Sequence, residues 1–358
     1  MNSPLDKIKP AVRAARAYTL SPLRAEIKIN QNENPFDMPA AIKAEVLERL
    51  ASRAWSRYPT FVPSSLLERL AEHAGWRPDG VLAGNGSNEL IQALLTVTVG
   101  AGTRVLISEP TFTLYRLLTT VLGGEVIAVP LNDNLAFNVP RLASKLVSTK
   151  ADVTILCSPN NPTGCVISTR DLTTFLRNSK GFVVIDQAYA EFGGDDFTTL
   201  LKDYPQLIIL RTFSKAMAMA GLRVGYLLGA PEVVTEIHKA KLPYNLNFFS
   251  MAAAEVAIER FDLLRPAISV IIRERDRLFR ALERIPGLTP VPSSANFMLV
   301  RTSMPPTQLF EALHARGILV RDVSSYPMLT EYIRISIGTP DENDRLISAL
   351  RDLFIQNT

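Results

Sequence analysis

Cysteine and histidine are scarce in this chain. Cys157 and Cys165 are its only cysteines, and the three histidines, His73, His238 and His314, lie far apart in sequence. Two thiols cannot build a disulfide framework, and with scattered imidazoles they offer no zinc-ligand spacing, so no metal site is expected. The same shortage of cysteine predicts a reducing, cytoplasmic location. No apolar run approaches the roughly 18 residues that span a bilayer. Met1-Asn-Ser-Pro-Leu-Asp-Lys7 also lacks the hydrophobic centre of an export signal, so no membrane partner is expected.

Charge of one sign is lacking too. The 39 basic and 35 acidic residues leave a net +4 and are interspersed without a basic run. The pI near 9.0 therefore points to acidic small molecules as partners and not to nucleic acid. Apolar material is plentiful, at 47% of 358 residues, enough for a large core and for a larger and a smaller domain.

Residues 1–29 read as an arm carrying Tyr18, followed by the polar loop Asn30-Gln-Asn-Glu-Asn-Pro35. Helices are predicted over 39–51 and 64–74. From residue 81 short apolar runs alternate with helical stretches, the latter including 87–99 and 111–122. The runs at 81–83, 104–107, 126–129, 153–156, 182–185, 207–210 and 224–228 are apolar on both parities. That pattern predicts an α/β fold with a mostly parallel sheet between helices, whose ligands gather at the carboxyl ends of the strands. Beyond Phe249 the pattern changes to helices over 250–261 and from Pro266 to about 284, then strands at 296–300, 318–320 and 332–337. Thr339-Pro-Asp-Glu342 signals a final capped helix. The predicted division is a large domain over 30–249 and a smaller α+β domain made of 250–358 with the arm 1–29.

Four stretches could carry chemistry. Gly84-Asn-Gly-Ser-Asn-Glu89 joins a strand to a helix, where free N–H groups suit an anion. It also imitates a dinucleotide-binding turn with Glu109 as the ribose acid, although Glu89 stands where the third glycine would be. Ser158-Pro-Asn-Asn-Pro-Thr-Gly164 holds Asn161 on a constrained loop after a buried strand. Asp186 ends the apolar run Phe182-Val-Val-Ile185, and Tyr189 follows three residues later. A carboxylate there is costly to bury without a cation or donors, unless it only caps a helix. Arg211-Thr-Phe-Ser-Lys215 leaves another buried run, with Arg223 eight residues after the lysine. A surface lysine is the plain alternative. An amine, an anion pocket and a buried acid at neighbouring strand ends fit pyridoxal phosphate.

These motifs together resemble the fold type I, class I/II aminotransferases and, more narrowly, the histidinol-phosphate aminotransferase subfamily. The resemblance runs from the Asn-Glu-Asn-Pro loop to the final helix. It implies that Lys215 is the Schiff-base lysine, that Asp186 pairs with the pyridine nitrogen, and that Asn161 and Tyr189 bind the ring hydroxyl. It also implies phosphate ligands at Ser87, Asn88, Thr212, Ser214 and Arg223, and ring stacking at Phe112, where relatives often carry Tyr. Tyr58, in Arg-Tyr-Pro, matches a tyrosine that reaches the cofactor phosphate of the neighbouring subunit, which implies a homodimer with shared sites. Arg334 matches a carboxylate clamp and Arg321 the position associated with the phosphate of histidinol phosphate; Tyr18 and Asn34 match other substrate-side positions. On residues alone, Arg334 could equally be a solvated strand arginine.

The activity implied is transfer of the amino group between glutamate and histidinol phosphate, in ping-pong fashion. Aromatic amino-acid transamination and threonine-phosphate decarboxylation are the rival enzyme activities. A plain NAD-binding protein would account for the glycine turn alone. A cofactor-sensing regulator would need a DNA-binding module for which this chain has no spare length.

Overall fold

The computed structural model describes residues 3–15 and 23–355. Its largest sheet has seven strands, in the order Val81–Gly84, Gly225–Leu228, Leu207–Thr212, Phe182–Asp186, Val153–Cys157, Arg104–Glu109 and Glu125–Pro130. Pairing is parallel from Leu207–Thr212 across to Glu125–Pro130, and Gly225–Leu228 runs antiparallel to both its neighbours. The mostly parallel sheet is as expected. Its one reversed strand is invisible in composition, because a strand covered on both faces reads the same in either direction.

The two faces of this sheet meet separate apolar clusters. In the interior strand Leu207–Thr212, Ile208 and Leu210 join one cluster while Leu207 and Ile209 join the other. Burying each such side chain is worth roughly 1.5–3 kcal/mol, so the strand is a firm mount for the residues that leave its carboxyl end.

A second, antiparallel sheet has the order Arg321–Asp322, Tyr332–Ser336, Phe297–Thr302 and Leu288–Pro290. Ile27–Lys28 pairs in parallel with Ile318–Leu319, which ties the early chain to the late one just before the loop at 30–35.

Helices Ala40–Leu50, Ser64–Ala74 and Ser87–Thr98 fall close to their predicted bounds. The helix expected over 111–122 spans Leu114–Leu122 instead. Pro110 and Thr111 are held elsewhere: Asn160 Nδ2 donates to the Pro110 carbonyl at 3.0 Å and Thr111 Oγ1 donates to Asn160 Oδ1 at 2.8 Å. The helix expected over 250–261 runs Phe248–Glu259, starting early because Asn247 Oδ1 accepts from the Ser250 N–H at 2.8 Å. Pro266 does not start a helix; it lies inside Phe261–Leu282. It is on the exposed side, where a spared carbonyl reaches water, while Leu264, Ile268 and Ile271 anchor the turns around it. The predicted cap of Pro340–Ile355 forms, with the Glu342 N–H donating to Thr339 Oγ1 at 3.3 Å and the Thr339 N–H to Glu342 Oε2 at 2.8 Å. Among the described residues no helix is long and apolar enough to cross a membrane.

Candidate active site

Parallel registry brings three strand ends side by side. Cys157 pairs with Asp186, and Asp186 with Leu210, so the loop at 158–164, the Asp186 carboxylate and the segment 212–215 open on one cavity of about 310 Å³.

Asp186 sits at its floor, 3% exposed. Its Oδ2 accepts from the Tyr115 hydroxyl at 2.7 Å and its Oδ1 from the Ala188 N–H at 3.0 Å. Burial pushes its pKa up, opposed by those two donors. No cation among the described residues forms an ion pair with it. Among the described residues it is therefore a buried acid without a positive partner.

Lys215 follows the strand Leu207–Thr212. The Thr212 hydroxyl accepts from the Ser214 N–H at 3.2 Å and donates to the Val224 carbonyl at 3.3 Å, fixing the turn that aims the lysine. Lys215 Nζ donates to the Gln31 carbonyl at 3.1 Å and lies 5.9 Å from the centre of the Tyr189 ring. Burial lowers its pKa to about 8, helped by Arg334 and Arg223 and opposed by Glu33. An amine held this way is a nucleophile near neutral pH.

Another part of the cavity wall is rich in donors. Helix Ser87–Thr98 begins here, with Gly86 as its N-cap at φ 76°. The Arg223 guanidinium lies directly against Gly86, and a Cβ at Gly86 would strike it. Gly225 permits the same closeness on the next strand, since a Cβ there would collide with the Ser87 backbone nitrogen. Arg223 itself has φ 55°, and its Nη1 donates to Ser214 Oγ at 3.0 Å and to the Ala220 carbonyl at 3.1 Å. Helix N–H groups, two serines, Asn88 and a guanidinium make a cradle for a phosphate. Glu109, the acid that a dinucleotide-binding turn would need, instead accepts from Arg116 Nε at 2.7 Å.

The remaining wall comes from the antiparallel sheet. Arg334 Nη1 donates to Asn161 Oδ1 at 2.7 Å and its Nη2 to the Asn30 carbonyl at 2.8 Å, with the guanidinium 5.4 Å from the Phe297 ring centre. Arg321 and Tyr326 also line this side. Phe112 lines the cavity and meets the Tyr115 ring edge-on at 5.6 Å. Tyr189 completes that side of the floor; its phenol is pushed up in pKa by burial, against the pull of Arg334.

Two of the expected residues are not brought to this cavity, and a third cannot be placed. Asn34 turns away, its Nδ2 donating to the Ala216 carbonyl at 3.0 Å and its Oδ1 accepting from the Phe36 N–H at 2.9 Å. Tyr58 is 78% exposed and stacks on Tyr244 at 4.5 Å, away from the cavity of its own chain. Tyr18 lies outside the described residues.

Sequence reasoning missed Asn32, Tyr115, Cys157 and Tyr326 on the cavity wall. For Tyr115 a signal existed, since it follows the stacking candidate Phe112 by three residues and shares its side of the chain. For the others, nothing in the local sequence distinguishes them from ordinary loop and strand residues.

The site's chemistry fits pyridoxal phosphate. A buried acid without a cation suits a protonated ring nitrogen, the helix start with Arg223 suits a phosphate, and an amine of lowered pKa lines the same cavity.

Similarity to known proteins agrees with this geometry. Residues 24–350 match the family described as Aminotransferase class I and II. The chain is 35% identical over 348 residues to the histidinol-phosphate aminotransferase of Chlorobaculum tepidum, covering 97% of this chain and 100% of that protein. It is 36% identical over 345 residues to the corresponding enzyme of Chlorobium phaeovibrioides, with 96% of each covered. Among solved structures, the histidinol-phosphate aminotransferase of Sinorhizobium meliloti in complex with pyridoxal-5'-phosphate superposes with a TM-score of 0.87, at 25% identity over 98% of both chains. A buried amine, a buried acid and an anion cradle at adjoining strand ends, in a chain matched over nearly its whole length, have one joint explanation: the chain belongs to the class I and II aminotransferases.

Proposed function

We propose that the protein is a cytoplasmic, homodimeric pyridoxal-phosphate enzyme that moves the amino group between L-histidinol phosphate and 2-oxoglutarate, giving imidazole acetol phosphate and L-glutamate. The observation that carries this reading is that Asp186, Lys215 and the Ser87–Arg223 cradle all line one cavity. Relatives of about 35% identity over nearly the whole chain support the choice of substrate.

When bound, pyridoxal phosphate supplies a ring that accepts electron density from the substrate's α-carbon. The chain's residues do the rest. Asp186 keeps the proton on the ring nitrogen, and Asn161 and Tyr189 donate to the ring hydroxyl. Phe112 covers one ring face. Ser87, Asn88, Thr212, Ser214 and Arg223 hold the phosphate, joined by Tyr58 of the partner subunit. Lys215 anchors the cofactor through Nζ and, as free base, takes the α-proton of the amino donor. Arg334 holds a substrate carboxylate in the bidentate manner that suits a guanidinium, and Arg321 holds the substrate phosphate. Tyr18 belongs to the substrate side, and Asn34, turned to the Ala216 carbonyl, supports the loop beside it, with residues 30–249 as the cofactor domain and 1–29 with 250–358 as the domain that carries Arg321 and Arg334.

An amino-donor screen tests the reading. Histidinol phosphate with 2-oxoglutarate should yield glutamate without carbon dioxide, in ping-pong kinetics. Preference for phenylalanine would indicate an aromatic aminotransferase, and carbon dioxide release from threonine phosphate a decarboxylase.

A further inference from the structure

Asn32 lies in the loop between Ile27–Lys28 and Ala40–Leu50, 2% exposed, with φ 55°. Asparagine tolerates this left-handed backbone better than most side-chain-bearing residues. Each of its polar groups is engaged. The backbone N–H donates to Ser336 Oγ at 2.8 Å, and the carbonyl accepts from Asn296 Nδ2 at 3.1 Å. Ser336 Oγ donates to Asn32 Oδ1 at 3.1 Å, and Asn32 Nδ2 donates to the Tyr189 hydroxyl oxygen at 3.1 Å.

The direction of these bonds matters. A backbone N–H can only donate, so Ser336 Oγ accepts from it and directs its own hydrogen to Oδ1, which turns Nδ2 toward Tyr189. A phenol oxygen that accepts from Nδ2 keeps its hydrogen for another acceptor, and Tyr189 lines the cavity. The other groups around Tyr189 do not compete for that hydrogen at close range. The Phe297 ring meets it edge-on at 5.0 Å and Lys215 Nζ lies 5.9 Å from its ring centre. Arg334 and Asp186 act on the phenol through their charge. Ser336 and Arg334 share one strand, Tyr332–Ser336, and one side of it.

We propose that Asn32 is a positioning residue: it fixes Tyr189 as a hydrogen-bond donor toward the cofactor's ring oxygen and, through Ser336, ties that bond to the strand bearing Arg334. This rests on the pyridoxal-phosphate reading above. A donor to a charged oxygen favours its charged form, so losing the donor raises the oxygen's proton affinity.

The test titrates the visible absorption of purified protein loaded with pyridoxal phosphate against pH, without substrate. Asn32→Asp offers Tyr189 an acceptor, draws the phenol hydrogen out of the cavity, and should raise the titration midpoint by about one pH unit. Tyr189→Phe should raise it similarly, and the double variant should show no additional shift. Asn32→Gly keeps the left-handed backbone and removes the amide; it should shift the midpoint the same way by less, and it serves if the Asp variant does not fold. An unchanged midpoint in the Asn32 variants overturns the proposal. So does a shift from Asn32→Asp that persists undiminished in the Tyr189→Phe background. Wild-type protein that takes up no pyridoxal phosphate overturns the functional reading and this inference with it.

Discussion

Tyr115 donates its phenol hydrogen to Asp186 Oδ2 at 2.7 Å, and neither side chain has appreciable contact with water. The pair stabilises a carboxylate that burial would otherwise neutralise. Tyr115→Phe removes one of the two donors, raises the Asp186 pKa further, and weakens its hold on a protonated ring nitrogen. Titration of apoprotein with pyridoxal phosphate should show affinity reduced about tenfold. Unchanged affinity would mean that the Ala188 N–H alone suffices.

Arg321 is predicted to recognise the substrate phosphate. Arg321→Ala should reduce kcat/KM for histidinol phosphate by roughly a hundredfold while changing that for phenylalanine little. Equal losses with both donors would remove the phosphate role.

Much of this site was legible because its residues are costly or constrained without a ligand. Asp186 ends a buried run, Lys215 follows another, and Asn161 sits between two prolines. Strand registry then places them together, as parallel strands place any residues at their carboxyl ends. Asn32 was not legible, because its significance lies in a partner 157 residues away, and Tyr115 was legible only as a neighbour of Phe112, its bond to Asp186 spanning 71 residues. Tyr58 was legible only by resemblance; in the single chain it stacks on Tyr244 at the surface. The reversed strand Gly225–Leu228 escaped because apolarity carries no direction.

The exposed Tyr58 gives the proposed dimer a direct test. Tyr58→Ala and Lys215→Ala proteins should each be weak alone. Mixed under conditions that exchange subunits, they should regain roughly a quarter of wild-type activity, because half the dimers are hybrids with one intact site. No recovery despite demonstrated exchange would place Tyr58 outside the partner's site.

The depressed Lys215 pKa, about 8, sets a pH dependence. Uptake of pyridoxal phosphate by apoprotein needs the free amine, so its rate should rise with pH and level off above about 8. A rate still climbing toward the ordinary lysine value of 10.5 would show that burial does not tune this amine. The sign for stability is the same. Between these two values the unfolded chain binds the extra proton, so apoprotein stability should rise with pH across that window.

The central claim is that Lys215 anchors the cofactor, and one measurement reaches it most directly. Protein loaded with pyridoxal phosphate is reduced with borohydride, digested and analysed by mass spectrometry. The expected result is loss of the visible absorption band and a reduced pyridoxal-phosphate adduct on the peptide containing Lys215. An adduct confined to another lysine, or no adduct despite bound cofactor, would contradict it.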